Sequence, residues 1–286
     1  MMINRHPTTQ TGAMAVVASL LEARTGQQIA ANRTWRIETA LKPVLRLRGH
    51  DNLDQLVVEL FDDQTGVIAD QIVDALLNQE SSFFRDSGVL DMVVAAIDQR
   101  QQECDRRPRI WSAACSTGQE PLSLAMLFAD RFEITGKAEP EILATDVSEA
   151  AIARARAARY SQFEIQRGLP VRQMIKWFEA SGSDWIAQSN LVRKINFRRH
   201  NLVGDPAPAG YFDIVLCRNV LLYLSPVLRK RVFDLLAQVV RPGGLLVLGA
   251  GETVIGQTEA FSPSPRFRGL YERSAQSMHE LGLVAA

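Results

Sequence analysis

The stretch Ile110-Trp111-Ser112-Ala113-Ala114-Cys115-Ser116-Thr117-Gly118-Gln119-Glu120-Pro121 decides how the rest of the chain is read. An apolar start leads through small residues into Leu122-Ser123-Leu124-Ala125-Met126-Leu127-Phe128, whose apolar positions follow a helical period. The reading is strand, tight turn, helix, with Pro121 at the first helical position, where a missing N–H costs nothing. Small side chains let a ligand approach the backbone and the free N–H groups of the helix start. Gly118 is the only glycine of the turn, however, and the G-x-G-x-x-G dinucleotide fingerprint is absent. Taken alone, the stretch is either an ordinary βα turn or a cofactor site.

Downstream, short apolar runs alternate with helices. Glu141–Asp146 reads as a second strand, with Ser148 capping a helix from Glu149 to Arg159. Phe212–Cys217 is a third strand, followed by a helix from about Val227 to Val240 and a turn at Pro242-Gly243-Gly244 into Leu245–Gly249. This alternation predicts an α/β fold, a doubly wound, mostly parallel Rossmann-like sheet. Trp177–Arg199 does not alternate cleanly. Its runs Trp185-Ile186-Ala187 and Leu191–Phe197 predict a small antiparallel β excursion over about 177–199. Ligands of open α/β sheets bind at the carboxyl ends of the strands. Three polar clusters fall there: Cys115 to Glu120, Asp146, and Arg218-Asn219. A carboxylate ending strand two offers only acceptors, which suits the vicinal hydroxyls of a ribose. An Asp before Ser also begins helices, so Asp146 alone decides nothing. The shared location of the three clusters points to a nucleoside-type cofactor.

Upstream, residues 1–75 read as a small all-α domain of four amphipathic helices, and 76–286 as the α/β domain. Met14, Val16, Val17, Leu20 and Leu21 mark the first helix, stopped by Gly26. The second runs from about Thr34 to Arg48, with a kink or a late restart expected at Pro43. Asp51 or Asn52 caps the third, and Ile68, Ile72, Val73 and Leu76 mark the fourth. Around the second helix, Arg33, Arg36, Lys42, Arg46 and Arg48 face a single Glu38. That excess is either a solvated face or a docking face for an acidic helical partner.

Composition narrows the classes. The 286 residues carry 32 basic and 32 acidic side chains, so no bulk charge argues for nucleic acid or an anionic membrane. No apolar run approaches the ~20 residues of a membrane span. The N-terminus, with Arg5, His6 and Thr8-Thr9-Gln10-Thr11, lacks the apolar core of a signal peptide. Cys104, Cys115 and Cys217 are scattered, as are His6, His50, His200 and His279, which disfavours a disulfide framework and a metal site. The expectation is a soluble cytoplasmic protein without metal.

Several motifs recur in one order: Ser81-Ser82-Phe83-Phe84-Arg85-Asp86, Trp111 to Pro121, Ala144-Thr145-Asp146, Arg167-Gly168-Leu169-Pro170, Asn201-Leu202, Phe212-Asp213 through Cys217-Arg218-Asn219-Val220 to Tyr223, and Gly249-Ala250-Gly251-Glu252. The ordered set resembles the CheR family, the S-adenosylmethionine-dependent protein-glutamate O-methyltransferases of bacterial chemotaxis. The resemblance covers nearly the whole chain. It implies that Gln79, Ser81 and Arg85 lie over S-adenosylmethionine, that Glu120 accepts from the α-amino group, and that Asp146 holds the ribose. Asn201 and Leu202 are implied near the adenine, with Arg218 and Asn219 closing the site and Arg85 and Tyr223 at the reacting end. Gln79 and Ser81 depart from the family's usual Asn and Thr, and Leu224 replaces an aromatic residue often found there.

The resemblance also implies a substrate, the glutamates of a chemoreceptor's cytoplasmic helical bundle, and a product, S-adenosylhomocysteine. A glutamate of reference pKa near ~4.3 is already an anion at neutral pH, so methyl transfer to it needs no general base. The basic second helix then acquires a use, with Arg33, Arg36, Arg46 and Arg48 docking acidic receptor helices. Some relatives tether to a receptor's C-terminal pentapeptide through a longer, Gly-containing β loop. The short Phe178–Trp185 stretch predicts independence from it. The protein is expected to act as a monomer. Two rivals remain open: a non-catalytic S-adenosylmethionine-binding signalling scaffold, and a small-molecule O-methyltransferase.

Overall fold

The computed structural model describes residues 8–30 and 33–274. Arg5, His6 and His279 lie outside the described residues. The chain divides into two compact units. One comprises the residues up to Asn78 together with Tyr223–Leu228; the other comprises Gln79–Leu222 and the residues from Arg229 on. Tyr223, read from sequence as part of the α/β domain, therefore groups with the helices.

The smaller unit holds α1 (Thr8–Thr25), α2 (Trp35–Arg48), α3 (Leu53–Asp62) and α4 (Val67–Leu76). Their stops are those the sequence dictates. The Gly26 N–H closes α1 on Glu22 O at 2.7 Å. Gly49 takes the left-handed conformation (φ 72°) that ends α2, and the Asn52 side chain caps α3 by accepting from Gln55 N at 3.1 Å. Of the kink or late restart expected at Pro43, the restart does not occur, since α2 runs unbroken to Arg48. Proline removes one N–H from the ladder, but Leu41 and Val44 on either side are buried in the bundle core with Ile37, and that burial holds the turn. In the same unit, Gln28 N donates to Tyr223 O at 2.8 Å and Gln27 bridges Leu224.

The larger unit begins with α5 (Ser87–Glu103), β1 (Arg109–Ala113), α6 (Gln119–Thr135), β2 (Glu141–Asp146) and α7 (Glu149–Ala157). There follow β3 (Arg159–Ser161), α8 (Gln162–Gln166), α9 (Val171–Trp177), β4 (Phe178–Ser181), β5 (Asp184–Ala187) and α10 (Ser189–Val192). The chain closes with β6 (Ile195–Arg199), β7 (Phe212–Cys217), α11 (Pro226–Val239), β8 (Val240–Leu248), β9 (Phe261–Pro263) and β10 (Tyr271–Arg273). The main sheet has the order β6-β2-β1-β7-β8-β10-β9. Its first five strands are parallel, and β10 and β9 are antiparallel. β1, β2 and β7 are buried almost throughout, as strands covered on both faces must be. From β1 the chain winds outward through β2 to β6, then returns to β7 on the other side of β1. The switch point therefore lies at the carboxyl ends of β1 and β7.

Three expectations need correction. The antiparallel excursion is a separate three-stranded sheet, β3-β5-β4, spanning 159–187 rather than 177–199. Its outer strand Arg159–Ser161 was hidden at the end of a helical pattern, where Ala158 turns left-handed (φ 46°) and stops α7. Ile195–Arg199, read as part of that excursion, is instead the parallel edge strand beside β2. Finally, Pro242-Gly243-Gly244 does not separate helix from strand but lies inside β8. There the register opposite β7 slips between Phe212 and Ile214, and Gly244 faces Asp213 O so closely that a Cβ would approach to 2.9 Å.

Candidate active site

The turn after β1 is held in an uncommon backbone. Ala114 (φ 59°), Ser116 (φ 52°) and Gly118 (φ 94°) are all left-handed. Ala and Ser lose on the order of 1–2 kcal/mol each in that region, and the surroundings offset it. Cys115 N donates to Thr145 O at 2.8 Å, Ser116 N to Asp146 Oδ2 at 2.8 Å, and Ser116 Oγ to Gln79 O at 3.1 Å. Only glycine fits at 118, since a Cβ would come within 2.8 Å of Ala155 Cβ. The helix starts at Gln119, so Pro121 is its third residue rather than its first. The N–H it lacks would have pointed at Thr117 O, and that carbonyl accepts from Tyr160 O–H at 2.7 Å instead.

Two carboxylates face this turn. Asp146, buried at the end of β2, accepts from Ser116 N and, through Oδ1, from Ser148 N at 3.0 Å. Glu120 accepts from Ser112 Oγ at 2.7 Å and from Arg218 Nη1 at 3.0 Å. Arg218, its side chain 3% exposed, also donates through Nη2 to the Asp86 carboxylate and to Arg85 O at 3.2 Å. Its buried Nε–H has no partner among the described residues. The pair Glu120 and Asp86 therefore shares one arginine, which ties the end of β7 to the start of α6 and of α5.

Asn219, next along, is left-handed (φ 60°). Its N–H donates to Glu252 Oε2 at 2.7 Å, and that carboxylate also takes Gly249 N at 2.8 Å and Leu221 N at 2.8 Å. Gly249 is bare because a Cβ would sit 2.6 Å from Asn219 Nδ2. Beyond β6, Asn201 is buried in a turn closed by Asp205, which accepts from Asn201 N at 2.8 Å, with Leu202 half-buried beside it. Gln79 and Ser81 are half-buried at the start of the unit, and Arg85 lies between them and α5.

The structure thus brings these residues into two hydrogen-bonded sets: Gln79 and Asp146 meet through Ser116, and Glu120, Arg218 and, through its carbonyl, Arg85 form the other. Asn219 is tied to Glu252, and Asn201 and Leu202 form a separate turn. Tyr223 is described within the helical unit, where its hydroxyl accepts from Asn78 Nδ2. Of the basic residues, Arg33 and Arg46 are exposed and Arg36 is half-buried. Arg48 is engaged inside the bundle, by Glu59 at 3.3 Å and Gln71 at 3.2 Å. Burial, then the charges of Asp146 and Glu120, push the Cys115 thiol pKa well up, which disfavours the thiolate that a nucleophile needs.

Sequence reading left Ser112, Asp86, Ser123 and Glu252 without roles. Glu252 had a signal, a carboxylate in a Gly-rich turn at a strand end. Ser112 and Ser123 had a weaker one, single hydroxyls on otherwise apolar elements.

The donor set fits a nucleoside cofactor bearing an amino acid. Each Glu120 oxygen takes one protein donor where a carboxylate oxygen can accept two, and Arg218 Nε is an orphaned buried donor among the described residues. Strand order and site together define the class, a Rossmann-like methyltransferase. Residues 79–268 match the family described as "CheR methyltransferase, SAM binding domain". Chemotaxis protein methyltransferase 1 of Pseudomonas aeruginosa is 33% identical over 241 residues, which covers 82% of this chain and 87% of that protein. Chemotaxis protein methyltransferase Cher2 of Pseudomonas putida is 31% identical over 243 residues, 82% of this chain and 88% of that one. A chemotaxis protein methyltransferase of Vibrio parahaemolyticus is 31% identical over 248 residues, 84% and 89%. The chain belongs to the CheR methyltransferase family, and its cofactor is S-adenosylmethionine. Among the described residues, no helix is long and apolar enough to cross a membrane.

Proposed function

We propose that this methyltransferase esterifies glutamate side chains on the cytoplasmic helices of chemoreceptors. The observation that carries the reading is a guanidinium with no hydrogen-bonded partner among the described residues, whose charge is felt by Glu80. Arg85 is held by its backbone to the Arg218–Glu120 pair, while its side chain makes no hydrogen bond or ion pair among the described residues. A guanidinium matches the two oxygens of a carboxylate. When bound, S-adenosylmethionine supplies an electrophilic methyl group. Asp146 holds the ribose hydroxyls and Glu120 accepts from the ammonium group, with Arg218, Asn219, Gln79 and Ser81 completing the shell and Asn201 and Leu202 at the adenine. An acceptor glutamate of reference pKa near ~4.3 is ionised at neutral pH, so no side chain has to remove a proton. Arg85 orients that carboxylate, and Tyr223 is the second group to contact it. Too strong a grip would stabilise the anion and slow its attack, so orientation is the larger part of their work.

The test is transfer of a radiolabelled methyl group to chemoreceptor-containing membranes. Label in the receptor that mild base releases as methanol is expected; base-stable label, or none, would reject the ester. Arg85→Ala should lower turnover at least ~100-fold, and Tyr223→Phe by roughly tenfold with cofactor affinity kept. Unchanged turnover in Arg85→Ala would remove it from the mechanism.

Docking is assigned to Arg33, Arg36 and Arg46, beside the exposed Trp35 on α2; Arg48 leaves the set because Glu59 and Gln71 already hold it. Reversing Arg36 and Arg46 should raise KM for receptor and spare cofactor binding, and unaltered receptor kinetics would count against it. The β4–β5 connection is a tight turn at Gly182 (φ 65°), which supports independence from a receptor pentapeptide. Micromolar binding of such a peptide in a titration would overturn that.

A further inference from the structure

Arg85 stands between two strained residues. Phe84 has φ 50° and Asp86 φ 55°, a left-handed conformation that costs non-glycine residues on the order of 1–3 kcal/mol each. Such a pair persists only where its surroundings over-determine it. The Phe84 N–H donates to Ser123 Oγ at 3.0 Å. Ser123 is fully buried on α6, and its own hydroxyl proton goes to Gln119 O at 2.7 Å. Arg218 donates to the Arg85 carbonyl and to the Asp86 carboxylate. Gly168 lies so close to Phe83 that a Cβ there would overlap the Phe83 carbonyl oxygen. The Phe83 ring is buried edge-on against Tyr160 and Phe178, with centroids 5.0 and 5.6 Å away. Every residue from 83 to 86 is therefore fixed by something outside the turn.

We propose that Ser123 and Gly168 are positioning residues for Arg85. Neither touches substrate or cofactor in this assignment. Ser123 is a short side chain that accepts from Phe84 while donating to the helix, so the turn is pinned to the rigid start of α6. Gly168 sets the opposite wall, because any side chain would push Phe83 and with it the direction in which Arg85 leaves the backbone. Misplacing a reacting group by about 1 Å can cost on the order of 100-fold in rate. A long arginine launched from a loose turn would lose that direction while keeping its charge. The inference rests on the reading of Arg85 as the residue that orients the acceptor carboxylate.

The test combines kinetics with amide exchange in the full chain, using radiolabelled S-adenosylmethionine and chemoreceptor-containing membranes. Ser123→Ala should lower kcat by about 10- to 100-fold while KM for S-adenosylmethionine moves less than about twofold. Exchange of the Phe84 amide should speed up by at least ~10-fold as its protection is lost. Gly168→Ala, which disturbs the same turn from the other side, should lower kcat in the same way. In an Arg85→Ala background, Ser123→Ala should add no further loss. Unchanged Phe84 exchange in Ser123→Ala would overturn the bracket itself. Faster exchange with unchanged kcat, or a full additional loss on top of Arg85→Ala, would overturn its action through Arg85. If Arg85→Ala alone left turnover intact, the underlying reading of Arg85 would fall, and the positioning role with it.

Discussion

The two ends of the parallel sheet treat buried carboxylates in opposite ways. At the amino end, Asp213 of β7 has a side chain with no exposure, and donors saturate it. Arg106 reaches it with both Nη groups, Arg109 N donates at 2.9 Å, and Arg241 stands 3.9 Å away. Burial pushes its pKa up, but the hydrogen bonds from Arg106 and Arg109 and the nearby charges outweigh that and hold it below the ordinary carboxylate value. At the carboxyl end, Asp146 and Glu252 are held by backbone N–H groups, and Glu120 by one serine and one arginine. The amino end is finished as a structural clamp. The carboxyl end shares its donors among three carboxylates rather than converging them on one.

The sharpest way to break that contrast is Arg218→Ala. It leaves Glu120 and Asp86 without their shared cation, and truncating one partner of a buried pair costs about 3 kcal/mol. Turnover should fall at least ~100-fold, read by methyl transfer at saturating cofactor. A protein that keeps near-normal turnover would mean that the arginine merely fills space.

Asp213→Asn should do the reverse: lose stability and keep the site. We expect about 2–3 kcal/mol in denaturant melts at neutral pH, toward the low end because Arg106 is 35% exposed and solvent shares its charge. The pH dependence has a definite sign. Because the folded-state pKa is depressed below the ordinary 3.8, the stabilisation is complete only well above that value, from about pH 5, and is lost as pH falls through the folded value. The gap between wild type and Asp213→Asn should therefore close in acid; a gap that widened there would contradict the assignment.

The smallest effect belongs to Glu252→Gln. An amide in place of the carboxylate turns one acceptor oxygen into a donor facing backbone N–H groups. Cofactor affinity should weaken by roughly tenfold through Asn219, with stability reduced by about 1 kcal/mol. Unchanged affinity in a calorimetric titration would detach Asn219 from binding.

Much of this was legible in the chain itself. β1, β2 and β7 are continuous apolar runs, and strands buried on both faces leave that mark, so the parallel sheet and the three polar clusters at its edge followed. Arg159–Ser161 was not legible, since three residues after an alanine-rich helix carry no period of their own. Ile195–Arg199 was misassigned because its alternation suits an edge strand of either sheet, and only pairing with β2 decides which. The roles of Ser112, Ser123 and Glu252 come from distances across 8, 39 and 33 residues of chain, which no local pattern encodes.

The central claim is that the carboxyl end holds the cofactor and the amino end holds only the fold. Calorimetric titration of S-adenosylmethionine into Asp146→Asn and Asp213→Asn tests it directly. The prediction is at least ~10-fold weaker binding in Asp146→Asn and wild-type affinity in folded Asp213→Asn. Equal affinity in both variants, or a loss confined to Asp213→Asn, would contradict it.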